Sequence, residues 1–271
     1  MSREYFLFYA EANIVCVILI GIMLFHDLRK VSRQEKQMLF DYAVSAHIAY
    51  FISDTFWAAV LSGALPCARW LVLLLNLSNF VLLSSIAFFW FFYVAECVGV
   101  PLWRDRYTNR RRMNLIRLPL LGTIAVLVVA YLVHPDYWIS PAGEVASAYY
   151  PLLIAAPVIY IIMSMICAVS QARKQSSPIL RHQFILVGIY PLSVVVFGLL
   201  QLYALHIPLF CFGLTIMLFL FYIQAMESRI SLDPMTGLNN RGQLMRYVSQ
   251  ASNLRREGLR TYAVMADAKS F

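Results

Sequence analysis

Long apolar segments constrain the fold of this chain more than any other feature of its sequence. Hydrophobic residues make up 61% of the 271 residues and charged residues only 13%, far from the balance of soluble domains. About 20 apolar residues in a helix span the roughly 30 Å hydrocarbon core of a bilayer. We identify seven such segments: Tyr5–Phe25, Met38–Leu61, Trp70–Val94, Leu115–Val133, Tyr150–Val169, Phe184–Leu205 and Pro208–Ala225. The sequence therefore predicts an all-α polytopic membrane domain of seven transmembrane helices in residues 1–226.

The sixth and seventh segments are separated only by His206 and Ile207. A single helix across both would be about 63 Å long, twice the bilayer core, so we expect two spans joined by a tight hairpin. The first segment carries Glu11 and Asn13 and has no small-residue cleavage site. It is therefore expected to remain as a membrane anchor and not to be removed as a signal peptide.

Basic residues predict the orientation of these spans. Of the 22 Lys and Arg residues, all but Arg3 and Arg69 lie in the loops after the first, third and fifth segments, at the start of the fourth segment (Arg117) or in the tail from Glu227. Basic residues near span ends stay on the cytoplasmic side, so the N-terminus is predicted outside and the C-terminus inside the cell. This placement accounts for the net charge of +8 through contact with anionic lipid headgroups, without a nucleic-acid partner.

Four polar side chains fall in the outer halves of their predicted spans: Glu11, Asp54, Asn76 and Asn79. Ionisable groups in hydrocarbon are costly and mark functional sites by default, so these four form a candidate sensor pocket that opens outward. The alternative is that they hold helices together through interhelical hydrogen bonds. Asn76 and Asn79 fit that alternative well, whereas Glu11 and Asp54 have no basic partner within the spans.

A short motif follows the last apolar segment. Residues Asp233–Arg241 read D-P-M-T-G-L-N-N-R. Apolar residues then recur at the spacing of one helical face, and Thr261–Asp267 has the pattern of a buried strand that ends in a carboxylate. The tail therefore predicts a linker, a helix and a strand in residues 227–271.

The nonapeptide resembles the D-x-L-T-G-L-x-N-R opening of GGDEF domains, the catalytic domains of bacterial diguanylate cyclases. Met235 replaces the usual Leu, and the matching residues are Asp233, Thr236, Gly237, Leu238, Asn240 and Arg241. The resemblance covers about 40 of the 271 residues and implies the beginning of an α/β ferredoxin-like domain. It implies a structural role for these motif residues, with Arg241 paired to Asp233.

The resemblance also implies a function. Asp267 matches the strand-end carboxylate that holds a catalytic metal ion, Mg²⁺, and Lys269 stands where the family usually has Asp or Asn. The implied protein is a receptor in the bacterial inner membrane that acts as a homodimer and condenses two GTP into cyclic di-GMP. None of the 11 glycines is followed by another, so the GG[D/E]EF loop is absent. The sequence given is therefore expected to hold an incomplete GGDEF domain, to carry no catalytic residue and to be inactive alone.

Two other classes of function remain open. A seven-helix sensor with a degenerate GGDEF domain would signal by protein contact, and Lys269 favours this alternative. A transporter is compatible with seven spans and outward-facing polar groups. Against a transporter, the sequence shows no pair of Gly- or Pro-interrupted spans in corresponding halves, and transport does not explain Asp233–Arg241.

Overall fold

The computed structural model describes residues 3–28, 35–103, 109–141, 146–176, 178–203 and 208–230. Within these ranges the chain forms eight α-helices and no extended strand. The helices are α1 Arg3–Leu28, α2 Glu35–Leu61, α3 Arg69–Cys97, α4 Arg110–Val133, α5 Tyr149–Arg173, α6 Pro178–Ile189, α7 Leu192–Tyr203 and α8 Leu209–Ile230. The all-α prediction is confirmed for the membrane domain. The predicted beginning of a ferredoxin-like domain lies outside the described residues.

Six helical stretches are long and apolar enough to cross a membrane: Phe6–Leu28, Glu35–Leu61, Arg69–Cys97, Arg110–Val133, Tyr149–Arg173 and Leu180–Gln201. They correspond to the first six predicted spans, so the prediction of membrane helices is confirmed at this level. The seventh predicted span coincides with α8. Among the described residues, the apolar part of α8 is shorter and covers Leu209–Ile223.

The sixth span differs from the prediction of one helix over Phe184–Leu205. It begins earlier, at Pro178, and consists of α6 and α7 joined by a turn at Tyr190 and Pro191. Proline lacks a backbone N–H and its ring clashes with the carbonyl four residues earlier. The last helical hydrogen bond of α6 therefore runs from the Tyr190 N–H to the Leu186 carbonyl, at 3.1 Å. At the start of α7, the Ser193 N–H donates to the Tyr190 carbonyl, at 3.0 Å.

Helix α3 is the centre of the bundle, since it packs against α2, α4, α5 and α6. Its second half is a run of buried aromatic side chains that fill the space between these helices. Phe88 meets Tyr160 of α5 edge to face with ring centroids 5.6 Å apart. Trp90 stacks on Tyr190, at the break in the sixth span, with centroids 4.7 Å apart. The bundle thus has an aromatic core organised by a single helix.

The chain divides into two compact units, Met1–Met217 and Leu218–Phe271. The boundary falls inside α8. The first unit contains α1 to α7 and the first part of α8, and it holds every side chain of the site described next.

Candidate functional site

Asp54 of α2 is the carboxylate around which a polar site forms. It is half-buried, and its Oδ2 accepts a hydrogen bond of 2.5 Å from the hydroxyl of Tyr9 on α1. The amide of Asn13, one turn further along α1, also interacts with this carboxylate. Tyr50 and Tyr149 also interact electrostatically with the Asp54 carboxylate. Asp54 therefore lies among neutral polar groups.

The structure does not bring Glu11 to this site. The buried face of α1 carries Asn13, Cys16, Ile20 and Met23, at the spacing of three to four residues that keeps side chains on one face. Glu11 lies two residues from both Tyr9 and Asn13, about 160° around the helix from each, and its side chain is exposed. Of the two predicted carboxylates, only Asp54 belongs to the cluster.

Asn76 of α3 forms a second polar group at the same end of the bundle. Its side chain is completely buried. Its Nδ2 donates to the Tyr149 hydroxyl at 2.5 Å, and its Oδ1 accepts from the hydroxyl of Tyr131 on α4. One amide thus joins α3, α4 and α5. This geometry is that of an interhelical hydrogen-bond bridge, the alternative that the sequence left open for Asn76.

Asn79 is also buried, with 5% of its surface exposed. Its Oδ1 has no hydrogen-bond partner among the described residues. The preceding residue, Ser78, has its Oγ 2.6 Å from the Oγ of Ser53 on α2, and Ser53 directly precedes Asp54 in the sequence. Asn76 and Asn79 therefore lie in the same region as Asp54, but no direct hydrogen bond from either to Asp54 is found in the described part of the chain.

A loop between α4 and α5 closes this end of the bundle. Trp138 and Ile139 are buried in one apolar cluster with Trp57, Phe80 and Tyr149. Arg69, at the start of α3, holds the loop in place. Its guanidinium pairs with the Asp136 carboxylate at 2.7 Å and donates to the carbonyls of Pro135, Ile139 and Ser140. The polar side chains thus lie beneath an ordered cap.

The remaining sequence-predicted residues belong to the tail that follows Ile230. Asp233, Thr236, Gly237, Leu238, Asn240, Arg241 and Asp267 all lie outside the described residues. Within the described ranges, no group of three or more His, Cys, Asp or Glu side chains could hold a metal ion. The Mg²⁺ site implied by the resemblance therefore stays a prediction.

Comparison of the chain with protein-family models, with curated proteins and with solved structures gave no match.

The sequence did not identify Tyr131, Tyr149 and Arg69 as members of this region. Tyrosine is common in membrane helices, so its presence alone carries little signal. The spacing of Tyr9, Asn13 and Cys16 does show that these three residues share one face of α1 and that Glu11 lies on the other. It does not show which of the two faces is buried, because α1 is apolar all round and packing decides this.

Proposed function

We propose that this chain is the sensory and connecting part of a receptor-type diguanylate cyclase with seven membrane spans and a cytosolic C-terminus. It detects a signal through its membrane helices and controls the condensation of two GTP into cyclic di-GMP by a GGDEF domain in a homodimer. One observation carries the proposal. The motif Asp233–Arg241 begins three positions after α8 ends at Ile230.

Helix α8 supplies the connection in this proposal. It runs as one helix from Leu209 to Ile230, and its first turn is tied to α7, because the Phe210 N–H donates to Gln201 Oε1 at 3.1 Å. Only Ser231 and Leu232 separate its end from the motif. A rotation or shift of α8 would therefore reach the motif without passing through another domain.

The metal chemistry rests on the resemblance alone. Asp267 would hold Mg²⁺, and a hard cation of this kind requires an anionic oxygen on a rigid element. When bound, the ion neutralises charge on the triphosphate. Lys269, two residues further on, adds a positive charge that would contact phosphate or weaken the metal site.

The test compares two purified proteins in detergent with GTP and Mg²⁺. One is the 271-residue chain and the other is the chain extended by the residues that follow Phe271 in its reading frame. We expect cyclic di-GMP from the extended protein and none from the short chain, because the short chain lacks the GG[D/E]EF loop. Product from the short chain would contradict the proposal.

Variants of the extended protein test the metal role. Asp267→Asn should reduce turnover to background and leave the melting temperature of the membrane domain unchanged, because it removes an anionic ligand and little packing. Ser270→Ala is the matched control and should keep activity. An active Asp267→Asn variant would remove Asp267 from this role. An extended protein that folds but makes no product would favour the degenerate domain that signals by contact.

Transport is the second candidate, because the sixth span is interrupted at Tyr190 and Pro191. Broken helices line the binding sites of many transporters. In the described ranges, however, Pro119 and Pro157 lie inside the continuous helices α4 and α5, so no second span is broken to match. Na⁺ or H⁺ flux through proteoliposomes that hold the extended protein would favour transport over the receptor.

A further inference from the structure

A groove of about 280 Å³ lies at the end of α5 and the start of α6. It is lined by the turn between these helices and by one face of α6: Gln175, Ser176, Pro178, Arg181, His182 and Ile185. The side chains of Ser176, Arg181 and His182 are exposed. Within the described ranges, no polar side chain of the groove takes part in a hydrogen bond or an ion pair. These groups are therefore available to a ligand.

Positive charge is concentrated around this groove. Arg173 is the last residue of α5, Lys174 follows it, and residues 145–226 contain no Asp or Glu. Lys174 and Arg112, at the start of α4, both interact electrostatically with Cys167 of α5, so a third helix adds charge at this end of the bundle. Clustered charges of one sign attract ligands of the opposite sign. The ligand of the groove is therefore expected to be an anion.

The groove also continues into an apolar surface. Ile185 lies in the groove and shares a helical face with Ile189, four residues further along α6. Ile189 and its neighbour on that face, Leu186, are exposed. A ligand that satisfies both parts has an anionic head and an apolar chain, as a phospholipid does, whereas inorganic phosphate would fill the polar part only.

We propose that this groove is a discrete site for the headgroup of an anionic phospholipid. The Arg181 guanidinium binds the phosphate, since its planar fork matches two phosphate oxygens. Ser176 and His182 donate further hydrogen bonds to the headgroup. The proposed topology places this end of the bundle at the cytoplasmic leaflet, where basic pockets beside membrane helices bind such headgroups.

A discrete site differs from the general attraction between basic loops and anionic lipid. General attraction involves every basic residue near the membrane surface and does not saturate at one lipid, whereas the groove holds a single headgroup. The inference goes beyond the proposed receptor function and does not depend on it, because lipid binding is measured without GTP.

The experiment titrates phosphatidylglycerol into the purified, delipidated 271-residue chain in detergent. Native mass spectrometry counts the bound lipids, and thermal unfolding follows Tm. Phosphatidylcholine with the same acyl chains and sodium phosphate are the comparison ligands, at constant ionic strength. We expect one phosphatidylglycerol per chain, bound about tenfold or more tighter than phosphatidylcholine, and a rise in Tm that follows this binding.

Three outcomes of this titration would overturn the proposal. Binding of phosphatidylglycerol that does not saturate would show general attraction only. Equal affinity for phosphatidylcholine would show that the acyl chains alone are bound. The same rise in Tm with sodium phosphate would assign a free anion, and not a lipid, to the groove.

Three variants locate the effect. Arg181→Gln should weaken the apparent affinity for phosphatidylglycerol about tenfold, which corresponds to about 1.4 kcal/mol. Arg181→Lys keeps the charge but loses the planar fork, so its affinity should fall between the two. Arg110→Gln is the matched control, because it removes the same charge from an exposed residue at the start of α4, outside the groove.

The control should bind phosphatidylglycerol like the unaltered chain. The lipid-free Tm should be unchanged in all three variants, because substitutions of exposed side chains have little effect on stability. Equal losses of affinity in Arg181→Gln and Arg110→Gln, or no loss in Arg181→Gln, would overturn the site.

Discussion

At the scale of single residues, Asn76 shows how an amide is accommodated inside a membrane bundle. A completely buried amide needs both donors and acceptors, and Asn76 finds them in the hydroxyls of Tyr149 and Tyr131. Each tyrosine comes from a different helix, so the amide also fixes where α4 and α5 lie against α3. Asp54, by contrast, accepts a short hydrogen bond of 2.5 Å from the Tyr9 hydroxyl and also interacts with the Asn13 amide. Asn76 is therefore suited to a structural role, whereas Asp54 is hydrogen-bonded by side chains of α1 alone among the contacts described above.

We predict that Asn76→Leu lowers the free energy of unfolding by about 1–3 kcal/mol, because it leaves the buried Tyr149 hydroxyl and the half-buried Tyr131 hydroxyl without their partner. Tyr131→Phe removes one hydroxyl and should cost about 0.6 kcal/mol, the average for interhelical bonds in membranes. Thermal or denaturant unfolding in detergent measures both. A double variant that carries both changes should cost less than their sum. Full additivity would contradict the bridge.

At the scale of helices, small residues allow α5 and α6 to pack closely. A Cβ atom added to Gly188 of α6 would lie 2.3 Å from the Cβ of Ala168 on α5 and 3.7 Å from the Ser164 carbonyl oxygen. Ala168 and Ser164 are themselves buried. Close approach through small side chains is a common way for membrane helices to associate, since lipid removes the hydrophobic drive for association.

We predict that Gly188→Ala destabilises the protein by about 1–3 kcal/mol, because the added methyl group overpacks this contact. Ala168→Gly in the same chain should restore part of the loss by removing the methyl group it meets. Gly122→Ala in α4 is the matched control. Nothing lies within 4 Å of its added Cβ, and alanine favours a helix over glycine by up to about 1 kcal/mol. Equal Tm for Gly188→Ala and Gly122→Ala would contradict the close contact.

At the scale of the whole molecule, the charge distribution and the helical bundle lead to one proposed topology. The cap formed by Arg69 and the loop of residues 134–141 covers the bundle end that contains Asp54 and Asn76. Every Lys and Arg except Arg3 and Arg69 lies in segments assigned to the opposite side. From the positive-inside rule we therefore propose that the cap lies outside the cell and that Asp233–Arg241 lies inside, where GTP is available.

Reporter fusions test this topology. Alkaline phosphatase, which folds only outside the cytoplasm, should be active when inserted at Gly143 and inactive when fused after Phe271. A fluorescent protein that matures in the cytoplasm should give the reverse pattern. An active phosphatase after Phe271 would contradict the odd number of spans and would leave α8 on the membrane surface.

The sequence by itself determined the class of the fold. Runs of about 20 apolar residues have few alternatives, because only helices satisfy their own backbone hydrogen bonds in lipid. The first six spans were predicted on this basis, with ends a few residues from those observed. The break at Tyr190 and Pro191 was missed, although proline is the physical cause, because prolines are tolerated inside helices α4 and α5 of the same bundle.

The tertiary structure alone decided which polar residues meet. Depth along a helix can be read from sequence, and on this basis Asp54, Asn76 and Asn79 were grouped in one region. The rotation of a helix about its axis cannot be read from sequence where all its faces are apolar. Glu11 was therefore grouped with Asp54, although the residues of α1 that face Asp54 are Tyr9 and Asn13. Packing fixes that rotation, because each helix buries the face that fits its neighbours best, and the fit depends on residues far apart in the chain.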